Sequence, residues 1–403
     1  MINLIAGDNL AVLKTLPDNS IDAVVTDPPY SLKFMNKHWD TEVPSVEFWK
    51  EVYRVLKPGA HVLSFGGTRT YHRMVVNIED AGFEIRDQLA WIYGSGFPKS
   101  HNISKGIDKK FGAETEIIYQ KEKMNIKGSG ENSRLMNSAG KVETLLYSYT
   151  APNTDLAKEW DGWGTALKPA QECICLARKP LSEKTVVDNV LKWGTGALNI
   201  DACRIPFQSK KDFENQNRPN SIGKKFENKQ HDEAFLKDFN SNMLCMKQNN
   251  PEGRWPSNIL LDEQAAEILD EQSGQSTSVK TRNSDNRVAE KSGTSLQLGK
   301  AGTHDPQNSY CDSGGASRFF YCSKASQSER NRGLEDQRNV HPTVKPIKLL
   351  KYLITLVTPP GGTVLDPFLG SGSTAVACKE LGVSCIGIEI EQEYLNIAKA
   401  RVG

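Results

Sequence analysis

Ile21-Asp22-Ala23-Val24-Val25-Thr26-Asp27-Pro28-Pro29-Tyr30 is a β-branched apolar run that stops at a double proline. Consecutive prolines neither continue a strand nor enter a helix interior, so they hold a rigid, exposed turn at the strand's carboxyl end. Outward from this stretch the pattern alternates. Ile2 to Ala6 is a short apolar run closed by Gly7-Asp8. Between Ser45 and Leu56, apolar Phe48, Val52, Val55 and Leu56 recur at helical spacing, and Lys57-Pro58-Gly59 stops them. A strand from His61 to Phe65 ends at Gly66-Gly67, a helix covers Tyr71 to Ala81, and a strand runs from Phe83 to Tyr93. Such alternation predicts an α/β architecture with a largely parallel sheet.

After Gly94 the texture changes. Residues 95–164 and 206–339 are rich in Gly, Ser, Asn, Gln and Lys, and 273–317 is the loosest part. Between them, Gln171-Glu172-Cys173-Ile174-Cys175-Leu176-Ala177-Arg178 reads as a strand returning to the first layer. The α/β pattern resumes near the C-terminus, with helices over Ile347–Val357, Ser373–Leu381 and Glu391–Arg401 and strands over Thr363–Leu365 and Ser384–Ile390. The two terminal blocks read as two halves of one sheet. The expected division is a catalytic half at 1–95, an insertion at 96–165, a returning strand within 166–205, a further polar region at 206–339 and a cofactor half at 340–403.

Composition narrows the class. The 403 residues carry a formal net charge of +1, so no global field marks a nucleic-acid partner and polyanion contacts fall to local clusters. No apolar run approaches the ~18 residues of a spanning helix, and Met1 to Asp8 lacks the marks of a signal peptide. Eight cysteines without a Cys-x-x-Cys pair read as reduced core thiols of a cytosolic chain rather than as a metal site.

Thr363-Val364-Leu365-Asp366-Pro367-Phe368-Leu369-Gly370-Ser371-Gly372-Ser373-Thr374 is a strand, a glycine-bearing turn and a helix start. Gly370 and Gly372 let backbone approach a ligand closely, and Ser373 and Thr374 suit the first helical turn. The next strand ends in Glu389, whose carboxylate can accept both hydroxyls of a ribose. Three readings stand here. Gly370-x-Gly372-x-x-Ala375 fits the loose dinucleotide fingerprint, the acidic Asp366 and Glu389 suit the sulfonium and amino-acid end of S-adenosylmethionine, and a ligand-free turn explains the glycines alone. A phosphate-cradling P-loop is excluded by the missing Lys.

Asp27-Pro28-Pro29-Tyr30 explains itself through the chemistry of an exocyclic base amine, a poor nucleophile because its lone pair is delocalised into the ring. Asp27 can accept one N–H and the Pro28 carbonyl the other, which favours a pyramidal nitrogen aimed at an electrophilic methyl. Tyr30 offers an aromatic face to a base taken out of the duplex. A structural Pro-Pro turn with a capping Asp is the bland alternative.

Together, Thr26–Tyr30 and Asp366–Thr374 resemble the DNA amino-methyltransferases that act on adenine N6 or cytosine N4. Their order, catalytic motif first and cofactor motif last, resembles the beta class, a circular permutation of the S-adenosylmethionine-dependent methyltransferase fold. Trp91–Lys99 and Trp160–Thr165 resemble methyltransferases of phages and prophages. The resemblance implies a seven-stranded sheet with one antiparallel strand. It also implies an inserted target-recognition region, S-adenosyl-L-methionine as cofactor and duplex DNA as substrate. Asp8 would lie near the cofactor adenine, and His341, Thr343 and Lys345 would serve its methionine end. The turn would bring Asp366, Pro367, Phe368, Gly370, Gly372, Ser373 and Thr374, and Glu389 would take the ribose. Asp27, Pro28, Pro29 and Tyr30 would be catalytic. Asp rather than Ser at position 27 resembles the adenine-modifying members, so the expected activity is site-specific N6-adenine methylation with base flipping. It fits a cytoplasmic enzyme of a bacterial or phage-infected cell, with a homodimer and a cognate restriction enzyme as candidate partners. An N4-cytosine enzyme, an RNA methyltransferase and a catalytically idle nucleic-acid-binding module are the alternatives.

For target recognition, residues 99–145 hold nine Lys/Arg against six Asp/Glu, a local excess suited to phosphate contact. Trp160, Trp163, Trp193 and Trp255 are candidates for stacking on bases and equally for core, and Phe319-Phe320-Tyr321 is expected to be a buried strand.

Overall fold

The computed structural model describes residues 1–31, 42–96, 100–113, 116–126, 142–207, 212, 253–274, 276–277, 313–323 and 344–403. They form two compact units, residues 1–95 with 170–403, and residues 96–169.

In the larger unit the chain runs β1 (Ile2–Ala6), α1 (Asn9–Leu13), β2 (Ile21–Thr26), α2 (Val46–Val55), β3 (Leu56–Gly66), α3 (Tyr71–Asp80) and β4 (Glu84–Ile92). The smaller unit follows, with α4 (Ile103–Phe111), the antiparallel pair β5 (Ile117–Ile126) and β6 (Val142–Thr150), and α5 (Asp155–Glu159). The larger unit then resumes with β7 (Gln171–Arg178), α6 (Val186–Trp193), β8 (Ile259–Asp262), α7 (Glu263–Ser273), the two-residue strands β9 (Ser276–Thr277) and β10 (Ser313–Gly314), and β11 (Tyr321–Ser323). It closes with α8 (Ile347–Val357), β12 (Thr363–Asp366), α9 (Ser373–Leu381), β13 (Ser384–Glu389) and α10 (Gln392–Val402).

The main sheet has the order β1-β13-β12-β2-β3-β7-β4-β8-β11. β7 is antiparallel to both its neighbours, and every other pairing in the sheet is parallel. The C-terminal β12 and β13 lie between β1 and β2, so the two ends of the chain complete one sheet, as the permuted order requires. Both faces are covered, which is why β2 and β7 read as continuous apolar runs instead of alternating. Ala23, Val25, Leu63, Phe65, Ile174 and Leu176 face one core with α8 and α9. Their neighbours Val24, Val62, Cys175 and Ala177 face the other with α2 and α3. Each fully buried aliphatic side chain contributes about 1.5–3 kcal/mol, so a polar residue on either face of β2 is strongly disfavoured.

Three expectations change. The sheet has nine strands rather than seven, because β8 and β11, drawn from the polar stretch 206–339, extend it beyond β4. β3 begins at Leu56 rather than at His61. Lys57-Pro58-Gly59 does stop α2, yet the chain continues extended, and the Pro58 carbonyl accepts hydrogen bonds from Asn189 Nδ2 at 2.9 Å and Thr195 Oγ1 at 2.6 Å. Phe319-Phe320-Tyr321 is not a buried strand: Ala316–Phe319 is a 3₁₀ turn, Phe319 is 42 % exposed, and only Tyr321 enters β11.

In the smaller unit, Asp108 of α4 is buried and accepts from the backbone N–H groups of Asn153 and Thr154 and from Thr154 Oγ1, which ties α4 to the start of α5. Trp160 and Trp163 form an exposed edge-to-face pair with centroids 5.0 Å apart. Among the described residues no helix is long and apolar enough to cross a membrane.

Candidate active site

The carboxyl ends of β1, β12, β13 and β2 meet at one edge of the sheet, where open α/β sheets bind their ligands. There a cavity of roughly 310 Å³ is walled by Gly7 and Asp8 after β1, Asp27 to Tyr30 after β2, Asp366 to Ser371 after β12, and Glu389 and Ile390 after β13. β7 runs the opposite way, so its first residues, not its last, reach this edge and bring Glu172 to the wall. Lys345, just ahead of α8, completes it.

Two Asp-Pro turns form adjacent parts of the wall. At the end of β12 the Asp366 carboxylate is buried, and its Oδ1 accepts from Thr26 Oγ1 at 2.7 Å and from the Phe368 N–H at 3.2 Å. Burial pushes its carboxyl up to about 6, against hydrogen bonds from Thr374, Thr26 and Phe368. Thr26 is the last residue of β2, so this bond pins the cofactor turn to the catalytic strand. Asn9 Nδ2 donates to the Pro367 carbonyl at 3.3 Å and adds a tie from α1. Glu389 spans the same turn: its Oε2 accepts from the Gly370 N–H at 2.7 Å and its Oε1 from the Glu391 N–H at 2.8 Å. Burial raises this carboxyl as well, with the backbone N–H groups of Glu391 and Gly370 opposing.

The second turn holds its carboxylate differently. Asp27 Oδ1 accepts from the Tyr30 hydroxyl at 2.6 Å, and Oδ2 accepts from Lys345 Nζ at 2.5 Å. Glu172 Oε2 lies 3.1 Å from both the Tyr30 hydroxyl and Lys345 Nζ. Burial alone would lower Lys345, but Asp27 and Glu172 outweigh it and keep the ammonium charged. Burial first, then the same two carboxylates, hold the Tyr30 phenol well above its ordinary 10.0. Thr70 Oγ1 donates to the Tyr30 carbonyl at 2.6 Å, and a Cβ at Gly67 would sit 3.0 Å from the Tyr30 ring. The missing side chain at 67 therefore gives the ring its seat.

Of the residues expected from sequence, the cavity brings together Asp8, Asp27, Pro28, Pro29, Tyr30, Lys345, Asp366, Pro367, Phe368, Gly370, Ser373, Thr374 and Glu389. Asp8 also caps α1 through the Ala11 N–H at 2.9 Å. Gly372 is not on the wall. It sits at φ +83°, where a Cβ would lie 2.7 Å from Ala398 Cβ, so its bareness serves the packing of α10. His341 and Thr343 lie outside the described residues. Lys345 was expected at the cofactor's methionine end, and its ammonium is placed on Asp27 and Glu172. Among the wall residues that were not foreseen, Glu172 and Ile390 stand out. Glu172 sits in an apolar strand run with no local motif, and Ile390, 61 % exposed, directly follows Glu389.

The donor set decides between the ligands left open by the turn. Among the described residues, Asp8, Asp27, Glu172, Asp366 and Glu389 supply five carboxylates against one wall cation, Lys345, already paired with two of them. A dinucleotide's pyrophosphate would meet net negative charge here, whereas a sulfonium and an ammonium are matched by it. Apolar Phe368 and Ile390 offer flat cover for a nucleoside base. The site fits S-adenosylmethionine.

Comparison with known proteins agrees. A 62-residue stretch is 52 % identical to the type II methyltransferase M2.DpnII of Streptococcus pneumoniae, covering 15 % of this chain and 23 % of that one. A 72-residue stretch is 42 % identical to the type II methyltransferase M.SmaI of Serratia marcescens, covering 18 % and 25 % respectively. The chain thus spans about a quarter of the length of the curated relatives it matches. Among solved structures, the M1.HpyAVI–SAM complex aligns with TM-score 0.40 at 16 % identity, covering 100 % of both chains. The cytosine-N4-specific PvuII DNA methyltransferase aligns with TM-score 0.44 at 14 % identity, covering 99 % of this chain and 86 % of that one. The model of the N6/N4 DNA methylase family matches residues 21–400. The chain belongs to that family, and its cofactor is S-adenosylmethionine.

Proposed function

We propose that this protein methylates N6 of adenine at a specific sequence in duplex DNA, on a base swung out of the helix. The observation that carries the reading is the placing of the Asp27 carboxylate and the Pro28-Pro29 turn on the wall of the cofactor cavity, with the Tyr30 ring beside them. S-adenosylmethionine supplies an electrophilic methyl group on a sulfonium. Asp27 accepts one N–H of the amine and the Pro28 carbonyl the other, which turns the nitrogen lone pair toward that methyl. Tyr30 stacks on the base. The net negative wall favours the positive charge that develops on the amine, and Asp27 is placed to take the proton it sheds. The choice of adenine over cytosine rests on Asp at position 27.

The smaller unit, with the Lys/Arg excess of 99–145 and the Trp160–Trp163 pair, is assigned to DNA contact, and the stretch 206–339 to target recognition. The test is transfer of labelled methyl to unmethylated duplex DNA, with nucleoside analysis of the product. Label in N6-methyladenine is expected. Label in N4-methylcytosine overturns the base assignment, and label only in RNA overturns the substrate.

A further inference from the structure

Resting on that reading, the pairing around Asp27 raises a problem of access. Both Asp27 oxygens already accept, Oδ1 from the Tyr30 hydroxyl at 2.6 Å and Oδ2 from Lys345 Nζ at 2.5 Å, so an entering amine must share its acceptor with a charged donor. An ammonium is a nitrogen bearing N–H donors, so it satisfies the carboxylate as a base amine would, with a full charge in addition. The incoming amine is neutral and cannot displace it on equal terms: a charged donor makes the stronger bond, and a buried ammonium left without an anion is costly. Lys345 is only 7 % exposed, so water offers little compensation.

A second anion is already in place. Glu172 Oε2 is 3.1 Å from Lys345 Nζ, on a strand whose backbone is locked between β3 and β4. We propose that Glu172 is the positioning residue that receives the Lys345 ammonium when the target amine enters, so that Lys345 closes the amine site at rest and Glu172 opens it. The move requires no proton transfer: Lys345 stays charged and exchanges a bond shared between two carboxylates for one to Glu172 alone. The lysine also rests over the Phe65 ring, 4.9 Å from its centroid, and this face remains available as it shifts. The Tyr30 hydroxyl touches both carboxylates and keeps them in one frame.

The experiment uses the full chain at saturating DNA and cofactor, and reads the single-turnover transfer rate and the cofactor affinity by calorimetry. Glu172→Gln leaves Lys345 with Asp27 as its one full anionic partner, so the transfer rate should fall about 10²-fold, well beyond the roughly tenfold loss of cofactor affinity that removal of one wall charge brings. Adding Lys345→Met to that variant removes the competitor and should recover at least about tenfold of the loss, a coupling expected only of residues acting through one contact. A Glu172→Gln chain as fast as the parent overturns the inference. So does a double variant no faster than Glu172→Gln, since Glu172 would then act on something other than the lysine. A parent chain that transfers to no base overturns the methylation reading, and this inference with it. An active parent with an indifferent Glu172→Gln overturns this inference alone.

Discussion

Two turns with the same opening, Asp-Pro, leave adjacent parallel strands of one sheet and diverge completely in how they treat the carboxylate. Asp366 is 2 % exposed and bound by Thr26 Oγ1 and the Phe368 N–H, both parts of the framework. Asp27, with its side chain 22 % exposed, is held by Tyr30 and Lys345 through side-chain groups alone. A carboxylate held by backbone and strand-end donors is fixed in place, whereas one held by side chains from elsewhere in the site can change partners during a reaction. The sheet thus provides a fixed anion for the cofactor and an exchangeable one for the substrate on neighbouring strands.

The sharpest break of this contrast is Asp27→Ala. Only the amine loses its acceptor, so the transfer rate should fall by at least about 10³-fold while calorimetric cofactor affinity changes by less than about threefold. An equal loss of cofactor affinity would make the two turns a single binding unit. Next in size is Glu389→Ala. It removes the acceptor of the Gly370 and Glu391 N–H groups along with the proposed ribose contact. Cofactor affinity should fall about 10²-fold, since a charged hydrogen-bonding group and its buried partners are lost together. Unchanged affinity would show that Glu389 serves the turn alone.

Asp366→Asn sharpens the comparison from the other side. Its carboxyl is raised from 3.8 to about 6 by burial. A raised carboxyl holds its proton more tightly folded than unfolded, so its stabilising contribution is complete below the unfolded value near 3.8 and is lost as pH rises through about 6. At pH 8 the ionised group is a burden on the fold, and Asn removes it. The variant should therefore melt a few degrees higher, on the order of 1–3 kcal/mol, with the gain vanishing as the pH falls toward 4. Its cofactor affinity should drop about tenfold through the lost charge. Thermal scans across pH decide it: a gain that persists at pH 4 would show that ionisation is not its source.

How much of this was legible follows from the range of each interaction. α8, α9 and β7 fall on the residues that the apolar pattern marks, because their limits are set locally by Pro346, Gly372 and Gly382 or by a covered sheet. β8 and β11 were not legible. They are four and three residues long, too short for a period, and exist as strands only because β4 offers an open edge to Ile259 and β8 to Tyr321. Asp27 and Asp366 announce themselves by the prolines beside them. Glu172 does not: nothing in Gln171-Glu172-Cys173 distinguishes a wall carboxylate from a strand-edge one, and its meaning arises only when the antiparallel direction of β7 sets it against Lys345. Gly372 shows the reverse case, since the requirement for glycine that the structure displays comes from Ala398 on α10, a contact distant in sequence.

The smallest expected effect tests the hydroxyl that joins Asp27 to Glu172. Tyr30→Phe keeps the ring against the base and removes the hydroxyl that touches Asp27 and Glu172. A hydroxyl's hydrogen bond to a carboxylate is charge-assisted and contributes about 1.5 kcal/mol at the low end, where a part-exposed acceptor belongs, so the transfer rate should fall about tenfold. Burial and the two carboxylates keep the phenol protonated well beyond its ordinary 10.0, so parent and variant should show superimposable rate profiles from about pH 6 to pH 9. If the loss instead exceeds about 10²-fold, or the profiles separate in that window, the hydroxyl takes part in the proton's path. Asp27 would then not be the lone base of its turn, and the difference between the fixed and the exchangeable carboxylate would have to be drawn between whole turns rather than between two side chains.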